Sequence, residues 1–391
     1  MYKILIVSPF FWPFAGVGAE RMGSLVEYLS SRNKYEISVL KNDNNSYMEC
    51  VLKSKTRFEG VRQINVTVKK GFFYCYSTYR KKLLALLNES KYDCIVISVG
   101  PYYTFPLVSE IKKKFSEAHV VLDIRDLWAH EMSLLKRNTI LEIIKNYIKD
   151  YVFQRKAIKI ADVVTIAGED GKALLEMIYG KKVGQKTFSV CNGFNDVGIS
   201  LNSGSNYENK DVFNLCIFGK FAEYLSDNQL DDIAQGLSDY HGRIKITQIG
   251  NQEDRLTTRL KWYNIEYINT GYLDYEEGII YLKENATAFF LSNDLKVGNG
   301  TKVYDYILCD KPIIYFGIKN TGVCEFLKNF RNAFICSENE ELLNAIITIK
   351  RNRLKELKPI NGNIKMYSRE IQNRKFEQII LECCMEDKFD K

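Results

Sequence analysis

Short runs of consecutive apolar residues, rich in Val and Ile and bounded by polar turns, recur along the whole chain. In the first half they read KILIVSPF (3–10), EISVL (36–40), CIVISVG (94–100), VVLDIRD (120–126), DVVTIAG (162–168) and TFSVCNGF (187–194). Such runs suit strands of a parallel sheet that is covered on both faces. Between them, apolar residues spaced three and four apart predict helices over 19–31, 78–89, 103–115, 132–160 and 169–179. A polar stretch, SLNSGSNYENKD (200–211), interrupts the rhythm and reads as a linker.

The alternation resumes with VFNLCIFG (212–219), IKITQIG (244–250), IEYINTG (265–271), ATAFFLS (286–292), PIIYFG (312–317) and NAFIC (332–336). Helices are predicted over 226–239, 275–283, 301–309 and 340–351, and MYSREIQNRKFEQIILECC (366–384) closes the chain as a long amphipathic helix. Two rounds of alternating strand and helix predict an α/β protein with two doubly wound, Rossmann-like domains. The expected domains are 1–199, a linker 200–211, 212–365, and a terminal helix 366–391 that packs back toward the first domain. Sheets of this type bind ligands at the carboxyl ends of their strands, so a central cleft between the domains is the expected site.

Bulk properties remove several classes. The 391 residues are 46% hydrophobic and 26% charged, as in ordinary globular proteins with room for two cores. Ten cysteines are scattered without a Cys-x-x-Cys pair, and there are three histidines, so no metal is expected. The thiols fit small buried residues in a reducing compartment. MYKILIVSPFFWPF lacks a basic start and a long apolar core, and no run approaches the roughly 18–20 apolar residues of a membrane span. A cytoplasmic protein is expected, touching a membrane at its surface.

Charge supplies the reason for that contact. Residues 1–200 carry 30 Lys and Arg against 20 Asp and Glu, whereas the remainder carries 25 against 28. Much of the excess lies in VKKGFFYCYSTYRKKLLALL (68–87), where Lys69, Lys70, Arg80, Lys81 and Lys82 flank Phe72, Phe73, Tyr74, Tyr76 and Tyr79. Further cations lie in IKKKF (111–115) and along 132–160. Basic residues interleaved with aromatics suit an anionic membrane surface, single-stranded nucleic acid or a solvated face; the membrane is preferred and nucleic acid is not expected.

Two glycine-containing turns precede helices. The loop after the first strand, SPFFWPFAGVGAERM (8–22), holds Gly16 and Gly18, and GNGTKVYDYILCDKPIIYFG (298–317) opens on Gly298, Asn299 and Gly300. Glycine lets backbone N–H groups approach a ligand, and a helix start favours an anion. The first loop departs from the dinucleotide fingerprint: Gly18 is followed by Gly23, not by a glycine at 21, and Asp43 falls several residues late. A nicotinamide enzyme is disfavoured, and a nucleotide diphosphate sugar fits both turns.

The segments ILIVSPFFWPFAGVGAERM (4–22), LDIRDLWAHE (122–131), VCNGFND (190–196), CIFGKF (216–221) and GTKVYDYILCDKPIIYF (300–316) follow one another along nearly the whole chain. In this order the chain resembles GT-B-fold glycosyltransferases, similar to the retaining family 4 enzymes of bacterial O-antigen and capsular polysaccharide synthesis. The resemblance implies transfer of a hexosyl or N-acetylhexosaminyl group from a nucleotide-sugar donor, a UDP-sugar by preference, to a hydroxyl of a polyprenyl-diphosphate-linked saccharide. It implies no cofactor and no metal, and a peripheral position on the inner face of the cytoplasmic membrane.

Residue by residue, the resemblance puts Asp305 where the family has the second Glu of a pair, the carboxylate that receives the ribose hydroxyls. The first Glu falls at Val297, which cannot bond a hydroxyl, so either Asn293 or Asp294 supplies that contact or the sugar is held differently. Lys220 matches the basic residue that meets the phosphates, Lys302 is a second candidate, and Gly16, Gly18, Asn299, Gly300 and Thr301 complete the expected donor site. Asp126, His130 and Glu131 are the catalytic candidates at the exit of the fourth named strand: Asp126 or Glu131 orients the acceptor and His130 bonds the donor sugar. Asp123 and Arg125 are candidates for an ion pair. Family members are read as letting the departing phosphate take the acceptor proton, so that the protein positions groups and stabilises charge. A GT-B-fold sugar-nucleotide epimerase and a non-catalytic GT-B-like scaffold are the alternatives.

Overall fold

The computed structural model describes residues 1–14, 17–43, 58, 60–69, 71–127, 129–130, 132–168, 170–195, 212–361 and 363–385. They form two compact units, one from Met1–Glu131, Asn138–Asn192 and Arg369–Lys391, the other from Met132–Arg137 and Gly193–Ser368. The stretch 200–211, read above as a linker, lies outside the described residues.

Unit one runs β1 (Tyr2–Val7), α1 (Val17–Ser30), β2 (Tyr35–Asn42), β3 (Arg62–Val66), α2 (Phe72–Glu89), β4 (Cys94–Val99), α3 (Phe105–Lys114) and β5 (Val120–Ile124). It continues through α4 (Ile140–Lys149), a π-helical turn (Asp150–Gln154), α5 (Arg155–Ile160), β6 (Val163–Ile166), α6 (Gly171–Tyr179), α7 (Lys181–Gln185) and β7 (Thr187–Ser189). The sheet order is β3-β2-β1-β4-β5-β6-β7 with every neighbouring pair parallel. Every residue of β4 and β5 is buried, which accounts for their mainly apolar sequences, interrupted only by Ser98 and Asp123. The order reverses at β1 and β4, so the carboxyl ends of these strands form the unit's switch point.

Unit two runs β8 (Val212–Phe218), α8 (Asp227–Ser238), β9 (Arg243–Ile249), α9 (Asp254–Trp262), β10 (Glu266–Gly271), α10 (Tyr275–Asn285), β11 (Ala288–Leu291) and α11 (Lys302–Cys309). It then adds β12 (Ile313–Phe316), α12 (Gly322–Leu327), β13 (Phe330–Arg331), β14 (Ala333–Cys336), α13 (Asn339–Arg351) and β15 (Lys358–Pro359). Its parallel sheet has the order β10-β9-β8-β11-β12-β14, with the switch point at β8 and β11; β13 and β15 form a small antiparallel pair.

The last helix, α14 (Arg369–Met385), belongs to unit one. Its Phe376, Ile379, Ile380 and Cys383 are buried in one core with Ile4, Ile6, Val26 and Val39. The hydroxyls of Tyr28 and Tyr35 donate to Glu377 at 3.0 and 2.7 Å, fixing the helix against α1 and β2.

Several elements differ from the sequence reading. Helix α2 starts at Phe72 rather than 78, directly after Gly71, whose φ of 120° few other residues adopt. The segment 132–160 is not one helix: α4 begins only after Thr139, whose side chain accepts from Glu142 N while Glu142 reaches back to the Thr139 N–H. Residues 132–137 belong to unit two instead. The short elements β3, α7, α9 and α12 were not distinguished by the apolar pattern.

Candidate functional site

At the carboxyl end of β8 the chain turns through Gly219, whose φ is 74°. Here Lys302, the first residue of α11, reaches across: its Nζ donates to the carbonyl of Lys220, and a Cβ at Gly219 would lie 3.4 Å from its Cε. Two lysines 82 residues apart thus meet at the switch point. Burial pushes the Lys302 ammonium down to about 8, against the pull of Glu253, Glu223 and Asp305, and it lies 5.3 Å from the centre of the Tyr224 ring. Lys220 is exposed and pairs with Glu223 at 2.6 Å, a contact that raises its pKa.

The peptide N–H groups beyond Lys220 already hold an anion. Glu253 accepts from the backbone of Phe221, Ala222 and Glu223 at 2.7, 3.1 and 3.2 Å, and from Gln248 Nε2 at 2.9 Å. These three amides are therefore already engaged by a carboxylate of the chain itself. Gly298 and Gly300, with φ of 88° and 65°, bring the chain into α11 in a conformation that side chains disfavour.

The remaining donor candidates are held differently. Asp305 lies in the first turn of α11, half-buried, and the Tyr275 hydroxyl donates to its Oδ1 at 2.6 Å. Asn299 is buried and its Nδ2 donates to the Tyr304 hydroxyl at 3.3 Å, so its side chain serves the turn. Thr301 is the N-cap of α11 and makes no side-chain capping bond. Asn293 accepts from Leu295 N at 2.7 Å, and Asp294 accepts from the Ser133 hydroxyl, so both potential substitutes for the missing Glu already have partners in unit two. Tyr275, Tyr224 and Glu253 were not singled out by the sequence; only their meeting in three dimensions identifies them.

In unit one, Asp123 is a buried structural carboxylate, and its partner is Arg21, not Arg125. Arg21 Nη2 lies 2.8 Å from Asp123 Oδ1, Thr165 donates to the same oxygen at 2.8 Å, and Arg21 Nη1 donates to the carbonyls of Val190 and Cys191 at 2.9 and 3.1 Å. Arg125 is left at the switch point across two glycines. A Cβ at Gly18 would fall 1.7 Å from its Nη1 and one at Gly100 1.4 Å from its Nη2. Its buried Nε finds no partner among the described residues, and burial lowers its pKa although Asp123 and Asp126 oppose this.

Asp126 keeps an exposed face at the exit of β5; desolvation raises its carboxyl above the usual range, and Arg125 pulls it back. His130 Nε2 lies 3.0 Å from the Tyr179 hydroxyl and 3.3 Å from Asp150 Oδ1, which leaves only its other ring nitrogen for a ligand. Burial works against ionisation of Asp150, but bonds from His130, Tyr179 and Arg155 outweigh it and hold its carboxyl low. Gly16, Glu131 and Lys70 lie outside the described residues.

The basic, aromatic segment is helical and splits by face. Phe73, Tyr74, Arg80, Lys81 and Lys82 are exposed, whereas Phe72 and Tyr76 are half-buried. Phe72 packs on Phe153 and Tyr102 with ring centres 5.2 and 6.0 Å apart, and Phe72 and Tyr76 both pack against the core of the unit. Arg80 pairs with Glu110 at 2.6 Å, and Lys69 is exposed and lies 5.9 Å from the centre of the Tyr74 ring.

Among the described residues, one grouping could hold a metal: His119, Asp162 and Cys383, with ligand atoms within 4.8 Å of one another. Asp162 already accepts from Lys112 Nζ and from Val120 N, both at 2.7 Å, which weakens it as a cation ligand. No helix of the described residues is long and apolar enough to cross a membrane.

No protein-family model matches the chain, and no curated protein matches it in sequence. Solved structures do match. The lipopolysaccharide outer core galactosyltransferase WaaB is 14% identical with a TM-score of 0.65, over 97% of this chain and 99% of that one. HepE from Anabaena, solved in complex with UDP and glucose, is 14% identical with a TM-score of 0.65, over 98% and 99%. The UDP-GlcNAc 2-epimerase from Methanocaldococcus jannaschii is 17% identical with a TM-score of 0.56, over 97% and 100%. The protein has the GT-B fold. Within that fold the lysine pair sits at the switch point of the second Rossmann-like unit and Arg125 at that of the first.

Proposed function

We propose that the protein is a glycosyltransferase that moves a sugar from a nucleoside-diphosphate sugar, a UDP-sugar by preference, to a hydroxyl of a lipid-linked saccharide. The observation that carries this reading is the meeting of Lys220 and Lys302 at the end of β8, beside a glycine-opened helix start and three residues before Asp305. Lys302 and Asp305 fall on one face of α11 at i, i+3 spacing. In this reading the two ammonium groups and the helix end neutralise the diphosphate, and Asp305, oriented by Tyr275, accepts the ribose hydroxyls. A leaving diphosphate stabilised in this way needs no metal.

Transfer proceeds with retention. The phosphate oxygen leaves as the anomeric carbon gains positive charge, and it takes the proton of the acceptor hydroxyl that arrives on the same face. Unit one supplies acceptor contacts, with Asp126 orienting the hydroxyl and the Arg125 guanidinium meeting an anionic or hydroxyl-rich group. The acceptor reading, its place in O-antigen or capsule assembly and a position on the inner face of the cytoplasmic membrane rest on the motif resemblance and on the exposed cations of α2.

A second reading is a sugar-nucleotide epimerase. The likeness to the 2-epimerase from Methanocaldococcus jannaschii along the whole chain favours it, whereas Val297, where the resemblance calls for a sugar-binding Glu, favours a non-catalytic scaffold. Incubating radiolabelled UDP-sugars with and without a polyprenyl-diphosphate saccharide separates the readings. Label entering the lipid phase only with acceptor supports transfer; a new epimer formed without acceptor supports the second reading. Nucleotide binding with neither product would leave a scaffold.

A further inference from the structure

Helix α4 is inverted relative to a soluble surface helix. None of its residues is buried, and the less exposed ones, Glu142, Asn146 and Lys149, are polar. The unit holds this polar edge. The Tyr102 hydroxyl donates to the carbonyl of Lys149, the Lys149 ammonium lies 5.7 Å from the centre of the Tyr102 ring, and Asp150, next along the chain, is buried among His130, Tyr179, Gln154 and Arg155. The opposite face is apolar and open to solvent. Ile140 is 77% exposed, Leu141 79%, Tyr147 67% and Tyr151 65%, and Ile143, Ile144, Ile148 and Val152 are also exposed.

These residues recur at three- and four-residue spacing, so they form one continuous stripe across α4 and the π turn. A capping box at Thr139 and Glu142 fixes where the helix begins. A stripe of this size left in water is costly, and it marks a surface that something covers.

The charges beside it identify the cover. Lys145 on α4 and Lys156 and Lys159 on α5 are exposed. The acidic residues of the helical stretch, Glu142 and Asp150, are engaged in the capping box and the buried network. Phe72 joins the N-terminus of α2 to Phe153, so exposed Phe73 and Tyr74 with Lys69 extend the same region. A second copy of this chain packed isologously would set these cations against themselves. Single-stranded nucleic acid would find mainly aliphatic side chains, on which bases do not stack. An anionic bilayer surface meets both halves of the pattern: apolar side chains enter the acyl boundary and lysines meet headgroup phosphates.

We propose that α4 is an interfacial membrane helix, lying in the plane of an anionic leaflet with Ile140, Ile143, Ile144, Tyr147 and Ile148 inserted. The inference rests on the lipid-linked acceptor reading only for why the enzyme needs a membrane. It goes beyond the charged α2 segment by naming an apolar insertion face.

The test is co-sedimentation of the full chain with phosphatidylcholine vesicles that contain or lack phosphatidylglycerol, in parallel with calorimetry of UDP binding. The wild-type chain should partition onto phosphatidylglycerol vesicles. Ile143→Glu with Ile144→Glu should lower that partitioning by about tenfold or more, since inserted charge and lost apolar contact act together, while UDP affinity stays at the wild-type value. Ile143→Ala with Ile144→Ala should give an intermediate loss. Wild-type partitioning of the double Glu variant overturns the proposal, as does equal binding to both vesicle types. Sedimentation equilibrium showing a wild-type dimer that the Glu variant converts to monomer, without vesicle binding, assigns the face to a second copy and also overturns it. Because UDP binding is read separately, failure of the nucleotide reading remains distinguishable from failure of this one.

Discussion

The Tyr275 hydroxyl donates to Asp305 Oδ1 at 2.6 Å, so the first residue of α10 orients a carboxylate in the first turn of α11. Charge-assisted hydrogen bonds contribute about 1.5–3 kcal/mol each. Asp305→Ala should therefore weaken UDP binding by about one to two orders of magnitude with the fold unchanged. Tyr275→Phe should weaken it by a smaller factor, since it removes one bond to the carboxylate and keeps the carboxylate itself. Calorimetry with both variants checks this, and unchanged affinity in Asp305→Ala would remove the residue from the site.

Lys302 gives the site a pH dependence with a definite sign. Its ammonium titrates near 8, below the ordinary lysine value, so the charge is present at pH 7 and lost as pH rises through about 8. UDP affinity should fall over that interval by roughly threefold to tenfold per pH unit. Lys302→Arg, whose guanidinium stays charged, should flatten the profile. In the free protein, Lys302→Met removes both this charge and the bond from its Nζ to the Lys220 carbonyl. The same variant should lose most of the thermal shift that UDP induces.

The Arg21–Asp123 pair is a stability element, buried on both sides. Removing one partner strands the other charge, which typically costs about 3–5 kcal/mol. Asp123→Ala should lower the urea midpoint accordingly, and the surviving folded fraction should bind UDP with wild-type affinity. Reduced affinity at full stability would give Asp123 a role in the site.

Gly100 and Gly18 make room for Arg125, and a methyl group at Gly100 would collide with its Nη2. Gly100→Ala should displace the guanidinium. Arg125→Met should leave UDP affinity intact and cut sugar transfer to the lipid acceptor by about tenfold or more. Equal transfer by Arg125→Met and the wild-type chain would show that the guanidinium takes no part in acceptor handling.

The parallel-sheet architecture could be read from sequence because strands buried on both faces are mainly apolar instead of alternating, as in CIVISV of β4, where Ser98 is the one polar residue. The site was legible only in pieces. Lys220, Lys302 and Asp305 stand out by motif, yet nothing local says that Lys302 reaches the carbonyl of Lys220, or that Glu253 fills the amides of residues 221–223. Asp123 and Arg125 are neighbours in sequence and suggest each other as partners, but the real partner of Asp123 is 102 residues away on α1. Apolar spacing over 132–160 gave helix without saying where it starts or which face turns inward. Thr139 sets the start, and the contacts of Lys149 and Asp150 turn the polar face toward the unit.

The central claim is that a nucleoside diphosphate binds unit two at the junction of β8 and α11. Calorimetric titration of UDP into the wild-type chain and into a Lys302→Ala, Asp305→Ala double variant tests it most directly. Saturable binding by the wild-type chain and a loss of about a hundredfold or more in the folded double variant is the predicted result. No binding of UDP or of other nucleoside diphosphates by the wild-type chain, or equal affinity in the double variant, would contradict it.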